Sequence, residues 1–465
     1  MTKRDNPMRS LFLGCLALLA MAGCSERTDP TPELLPLPQE VVWSKGAFQK
    51  SEVSLSGDPS VVGIVGEWLD GAGIKRSDTA TGKVNVRLVE RIDQAVVNQE
   101  EAYNLTVSQE EISIEAVTEK GVYWAVQTLR QLTDRSTREV RIPCCEIIDW
   151  PAFGIRGFMH DTGRSYISLE EIKREIEILS LYKINTFHWH LTENQAWRLE
   201  SKIYPQLTSL ENMTRYPGCC YTQEQVREFL DFCRKHHILV IPEIDMPGHS
   251  ESFTRTFGCD MQSPKGKGIL KELLAEACDL FAEEPYFHIG TDEVHFKDPD
   301  FVPEMVALVR SKGKKAVSWS PGCEYAPGEI DIAQIWSYMG KAKPGIPSID
   351  SRFRYANHFD LFGDIVAVYN SRIWLNDQEL LPPAWTNSPD VRSPEIDQGN
   401  ENCTARPPLP VHLNKGWNKV FMKLPVGKFT TPEIWLVKWA FTAVFVTPDG
   451  SRAVDGLIYS PDKSK

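Results

Sequence analysis

From residue 156 onward the chain alternates short apolar runs with amphipathic helical stretches, and this rhythm narrows the possible folds more than any other feature. Apolar runs stand at 157–160, 186–191, 238–241, 286–290, 315–319 and 332–336. Between the first two, Ser168 followed by Glu171 forms a capping box, and Ile172, Ile176 and Leu179 make the buried stripe of a helix. A second box, Thr222 with Gln225, opens a helix that buries Val226, Phe229, Leu230 and Cys233. Further helical stretches are predicted over 269–281 and 354–369. Short strands that are apolar throughout belong in a parallel sheet covered by helices. The expected fold class is therefore α/β, a (β/α)8-type TIM barrel with six strands visible instead of eight.

At 465 residues the chain is too long for one ordinary core, and the flanks of the barrel read differently. Residues 39–150 show alternating strands at 84–88, 103–107 and 112–116. A helix carrying Val122, Ala125, Leu129 and Leu132 follows, which makes an α+β accessory domain. Residues 151–370 hold the partial barrel. Residues 371–465 turn β-rich: a hairpin around Asn376-Asp377, then strands at 411–414, 419–423 and 439–446, read as a sandwich-like domain.

The first 23 residues form an export signal. Lys3, Arg4 and Arg9 precede an apolar core at 11–21 that is too short to span a bilayer, and small residues lead to Cys24. The pattern resembles a bacterial lipoprotein signal, with Cys24 as the acylated residue and 24–38 as a polar tether. The expected location is outside the cytoplasm, lipid-anchored to a bacterial membrane. A formal charge of -12 without a long basic run argues against a nucleic-acid partner. Nine cysteines follow Cys24, an odd number, so at least one is unpaired, and their spacing offers no structural zinc motif. Thirteen tryptophans suit sugar binding and core packing equally well.

Polar and aromatic residues gather where the predicted strands end. The first exits into Asp161 and Arg164, the second through His188, His190, Glu193 and Asn194, and the third into Glu243, Asp245 and His249. The fourth gives Asp292 and Glu293; the fifth and sixth give Trp319 and Trp336. In a barrel that rim is the active-site face. Adjacent carboxylates at a strand tip suit acid/base chemistry, because side chains within a strand alternate faces and only a turn lets neighbours share a pocket. His188 and His190 lie on one strand face. No third ligand stands at a convincing spacing, so they read as hydrogen-bonded barrel histidines, with no metal or cofactor expected.

Four motifs in order resemble glycoside hydrolase family 20, the β-N-acetylhexosaminidases: RGFMHD at 156–161 with Arg164, FHWHLT at 187–192, PEIDMPGH at 242–249 and HIGTDE at 288–293. The resemblance covers roughly residues 34–370. It implies an exo-acting enzyme that removes terminal β-linked GlcNAc or GalNAc from glycans by substrate-assisted, retaining hydrolysis, an exception to the two-carboxylate scheme. Glu293 is then the general acid and base, and Asp292 orients the substrate acetamide. His249 links Glu293 to Glu193, where the family usually has aspartate. Arg164 binds sugar hydroxyls, Asp245 supports the acids, Trp319 and Trp336 wall the acetamide pocket, and Tyr355 and Asn357 contact acetamide and sugar. Glu293 should be buried beside a like charge, with its pKa raised to roughly 6–7. Two closing barrel strands are not found, which suggests an internal segment lost by natural deletion or by an error in the gene sequence. A non-catalytic glycan-binding lipoprotein is the alternative function.

Overall fold

The computed structural model describes residues 32–134, 140–337, 339–352, 372–380 and 411–423. They fall into two compact units, one running through Ile335 and including Lys341–Ile349, the other comprising Trp336–Gly340 and the chain from Asp350 on.

The first unit contains two sheets. Its N-terminal sheet is built from β1 (Glu40–Phe48), β2 (Glu52–Gly57), β3 (Lys75–Arg76), β4 (Gly82–Leu88), β5 (Tyr103–Val107), β6 (Glu111–Ala116) and β7 (Ile142–Asp149). Their order is β1-β7-β5-β6-β4-β2-β3, with mixed parallel and antiparallel pairing. Strict alternation in β6 buries Ile112, Ile114 and Ala116 on one face. Two helices cover that face: α1 (Val62–Ala72) and α2 (Glu119–Leu132), the latter capped by Thr118 through Lys120 N–H. Each fully buried Ile, Leu or Val in this core contributes about 1.5–3 kcal/mol.

The second sheet follows the rhythm of the sequence. Strands β8 (Gly157–Asp161), β9 (Thr186–His190), β10 (Leu239–Glu243), β11 (Tyr286–His288), β12 (Lys315–Ser320) and β13 (Ile332–Ile335) pair in chain order, each parallel to the next. Helices α3 (Leu169–Leu181), α4 (Gln223–Lys235), α5 (Glu251–Phe257), α6 (Pro264–Leu280) and α7 (Phe301–Ser311) lie between them, and both capping boxes form as the sequence predicts. Every residue of β9 is buried: Phe187 and Trp189 pack on Phe229 of α4, while His188 and His190 face the other way.

Two expectations need correction here. The sheet has a seventh strand, β14 (Ser348–Asp350), beyond β13; three residues with one apolar side chain carry no periodic signal. Helix α7 was not anticipated either. Its Pro303 reads as a breaker, but it sits in the first turn, where a missing N–H has no intrahelical partner to lose. Among the described residues the sheet is a curled half-barrel, with β8 and β14 at its edges.

Two buried polar clusters join the sheets of this unit. Glu101 takes Arg156 Nη2 at 2.6 Å, Trp124 Nε1 at 2.7 Å and Asn185 Nδ2 at 3.1 Å. Lys183 Nζ reaches Asp149 at 2.7 Å and Tyr103 Oη at 2.8 Å. A charge buried this deeply is tolerated only because it is paired and hydrogen-bonded.

The second unit contains β15 (Arg372–Leu375), β16 (Gln378–Leu380) and β17 (Val420–Lys423) in an antiparallel sheet with β15 central. The expected hairpin turn is present, with Asn376 and Asp377 both at positive φ. Residues 411–414 are not a strand. The Asn418 side chain takes both the N–H and the C=O of Asn414, which withdraws them from any ladder. No helix among the described residues is long and apolar enough to cross a membrane. The signal, Cys24, the helical stretch at 354–369 and the strand at 439–446 lie outside the described residues.

Candidate active site

Parallel register sets a row of polar side chains across four strands. Asp161 stands beside His190, His190 beside Glu243, and Glu243 beside His288. Glu243 is fully buried and is the hub. His190 Nδ1 lies 2.7 Å and His188 Nε2 2.9 Å from its Oε2, while Trp319 Nε1 donates to Oε1 at 2.7 Å and His288 Nδ1 lies 3.2 Å away. Burial opposes the Glu243 charge, but the neighbouring imidazoles, His190 first, hold its carboxyl well below the usual range. Burial also opposes a His190 charge, yet Glu243 and Asp161 lift it to about 10. His288, pushed down to about 4 mainly by burial, is neutral.

The geometry corrects the sequence argument about a third ligand. His188, Glu243 and His288 come close enough to share an ion, a proximity that linear spacing could not reveal. Trp319 Nε1 and His190 Nδ1 are hydrogen-bonded to the carboxylate, while His288 Nδ1 accepts from Gly290 N–H at 3.0 Å. Glu243 itself was passed over as a site residue; the signal was its place at the strand's last position, two residues before Asp245.

Above this row the βα loops bring five predicted residues into one chain of contacts. Arg164, anchored by its backbone N–H on Asp161 Oδ1 at 2.9 Å, reaches Glu193 Oε1 at 2.6 Å. The same oxygen receives His249 Nδ1 at 2.5 Å. The other imidazole nitrogen, Nε2, lies 3.4 Å from Glu293 Oε2 and 4.0 Å from Asp292 Oδ2. The longer Glu193, where aspartate was the family expectation, therefore still closes the link. Burial works against a charged His249, but Glu193 and Glu293 outweigh it and raise its pKa to about 12. His249 is an imidazolium here, donating at both nitrogens.

The loop after β11 makes this meeting possible through backbone conformations that side chains rarely adopt. Gly290, Thr291 and Glu293 all have positive φ (65°, 90° and 47°), as does His249 at 48°. A β-branched residue at Thr291's φ is strained, and such strain gathers at functional sites. Asp245, fully buried, holds the turn by accepting from Thr291 N–H at 3.2 Å. Burial first, then Asp292 and Glu243, push its carboxyl well above the usual range.

The expected burial of Glu293 is overturned. Its side chain is 57% exposed, whereas that of Asp292 is only 14% exposed. The left-handed backbone at Glu293 turns the neighbours apart, so the buried acid is Asp292, lifted to about 6 chiefly by burial, with Glu243 and Glu293 adding to it. Both acids nonetheless converge on His249. Trp319 is buried beneath, stacked near His188 and His288. Trp336 is half-buried and belongs to the second compact unit, so its pocket role stays an expectation. Tyr355 and Asn357 lie outside the described residues.

Comparison with known proteins agrees with this arrangement. Residues 153–258 match the glycosyl hydrolase family 20 catalytic domain, and residues 31–150 match domain 2 of the same family. A β-hexosaminidase from Porphyromonas gingivalis is 32% identical over 409 residues, covering 72% of this chain and 52% of the relative. One from Vibrio furnissii is 35% identical over 322 residues, covering 61% and 50%. The chain thus spans about half the length of the curated relatives it matches. The alignment with the Porphyromonas protein is longer than the stretch of this chain it uses, so that relative carries residues inside the aligned span without counterparts here. Among solved structures, a Flavobacterium johnsoniae chitobiase superposes with a TM-score of 0.56 at 28% identity, covering 66% of this chain and 55% of that one. An exo-β-N-acetylglucosaminidase from Vibrio harveyi, solved with N-acetylglucosamine, gives 0.55 at 27%, covering 66% and 58%. The strand order, the rim of acids around His249 and these matches agree: the chain belongs to glycoside hydrolase family 20.

Proposed function

We propose that the protein is an exo-β-N-acetylhexosaminidase that hydrolyses terminal β-linked GlcNAc or GalNAc from glycans with the substrate's own acetamide as nucleophile. The observation that carries this reading is the meeting of Asp292 and Glu293 at one imidazolium, itself tied through Glu193 to Arg164. In this scheme Arg164 grips sugar hydroxyls as a planar cationic fork. Asp292, ionised above pH of about 6, accepts the acetamide N–H and aligns its oxygen for attack on the anomeric carbon. Glu293 gives its proton to the leaving oxygen, and the oxazolinium-type intermediate opens to water with Glu293 as base. An exposed acid is easily rewetted between turnovers. A bound sugar would exclude that water from the Glu293 carboxyl.

Hydrolysis of an unactivated phenyl β-N-acetylglucosaminide, whose leaving group needs a proton, by the wild type and by Glu293→Gln tests the reading. The wild type should turn over and the variant should lose about 10²–10⁴-fold. Equal rates would remove Glu293 as the acid.

A second reading, a glycan-binding protein without turnover, is favoured by the sheet ending at β14 among the described residues. Loss of an internal barrel segment, which the gapped alignment supports, would account for it. Sugar binding without hydrolysis would decide for it. Export and lipid anchoring through Cys24 also belong to the proposal, and globomycin-sensitive labelling with palmitate would test them.

A further inference from the structure

We propose that Arg198 is a positioning residue that sets Arg164 and Glu193 by tying the loop after β8 to the long loop after β9, an inference that rests on the hydrolase reading for its kinetic consequence. Arg198 is 0% exposed, and among the described residues no carboxylate pairs with it. A buried guanidinium without a counter-ion must spend its donors on other acceptors. Here those are backbone carbonyls on two loops. Nε donates to Thr162 O at 3.0 Å and Nη2 to Gly163 O at 3.4 Å. On the other side Nη2 reaches Arg215 O at 2.9 Å, and Nη1 reaches Tyr216 O at 3.1 Å and Cys219 O at 2.9 Å. One planar cation thus spans the residues directly before Arg164 and a loop otherwise remote from it.

The coupling to the acids is steric. A Cβ added at Gly163 would lie 2.7 Å from Glu193 Cβ and 3.0 Å from Glu193 N. Gly163 therefore has no freedom to shift without moving Glu193, whose carboxylate holds both Arg164 and His249. Thr162 is pinned as well, its hydroxyl accepting from Trp189 Nε1 at 3.0 Å and donating to His190 O at 3.0 Å. Lysine cannot replace the fork, since it offers three donors from one point and cannot span two loops. The carbonyls of the 213–219 loop would turn to water, and Gly163 would keep only the bond of its own N–H to His190 O at 3.3 Å.

The test uses the full chain. Arg198→Lys should lower kcat/KM on an aryl β-N-acetylglucosaminide about 30- to 100-fold, the scale of an ångström-sized misplacement. In an Arg164→Ala background the same substitution should cost about 10-fold or less, because one of its two routes is gone and only the one through Glu193 and His249 remains. Equal losses in both backgrounds would overturn the proposal, since a general loss of folded protein multiplies through every background. Amide hydrogen exchange gives an arm independent of turnover: Arg198→Lys should raise exchange at 162–164 together with 213–219, while the strands stay protected. Exchange raised at 213–219 alone overturns the proposal even in a protein that hydrolyses nothing. A wild type without turnover would refute the hydrolase reading but leave this arm decisive.

Discussion

Gly290 opens the turn that presents the two acids, and substitution by alanine there has a calculable cost. The backbone stands at φ 65°, and an added Cβ would meet Asp245 Oδ1 at 1.7 Å, Cγ at 2.4 Å and Cα at 2.7 Å. A carboxylate oxygen can swing aside, but a Cα cannot, so the loop itself must move. Left-handed backbone costs alanine about 1 kcal/mol. Overpacking against a fixed neighbour adds about 1–3 kcal/mol, and loss of the Thr291 N–H bond to a buried carboxyl adds about 1–2 kcal/mol. The total is about 3–6 kcal/mol. Gly313 supplies an internal control: its φ is 75°, and an added Cβ meets nothing within 4 Å. Gly313→Ala should therefore lose only about 1 kcal/mol. Urea denaturation of the two variants isolates the clash, with Gly290→Ala less stable than Gly313→Ala by about 2–5 kcal/mol. Variants agreeing to within about 0.5 kcal/mol would refute the claim that Asp245 and Gly290 are locked together.

The charge states at the site give two further predictions. Asp292 has a folded pKa of about 6 against an ordinary 3.8, so its carboxylate destabilises the fold as pH rises from about 4 through about 6, and fully above that. Asp292→Asn should then gain up to about 3 kcal/mol at pH 8 and nothing at pH 4; a gain equal at both pH values in urea titrations contradicts this, and turnover should collapse even as stability rises. His249 has the opposite linkage: raised from 6.5 to about 12, its contribution is fully present below about 6.5 and fades as pH climbs through about 12. Imidazole NMR signals assigned by their loss in His249→Asn should show no titration between pH 5 and 9, whereas a midpoint inside that window would mean that Glu193 does not hold it.

Much of the fold was legible because it is written in local patterns. The Ser168 and Thr222 capping boxes fixed two helix starts, and the all-apolar strands announced a parallel sheet. Alternation placed His188 and His190 together, and the strand-end motifs brought Arg164, Glu193, His249 and the acid pair to one rim. What escaped depends on three dimensions. Register alone sets His288 beside Glu243 and makes that glutamate the hub of the cluster. Backbone φ at Thr291 and Glu293 decides which acid is buried, and side-chain types do not encode it. Arg198 drew no reading from the sequence, since its carbonyl partners lie in loops up to 36 residues away. β14 was too short to show a period.

The central claim is a division of labour, with Glu293 moving the proton and Asp292 steering the acetamide. A series of aryl β-N-acetylglucosaminides with leaving groups of graded acidity separates the two roles. Glu293→Gln should slow bond cleavage steeply for poor leaving groups and little for the most acidic phenol, which departs without a proton, while Asp292→Asn should slow all members by a similar factor. A uniform loss in Glu293→Gln, or a graded one in Asp292→Asn, would contradict the account.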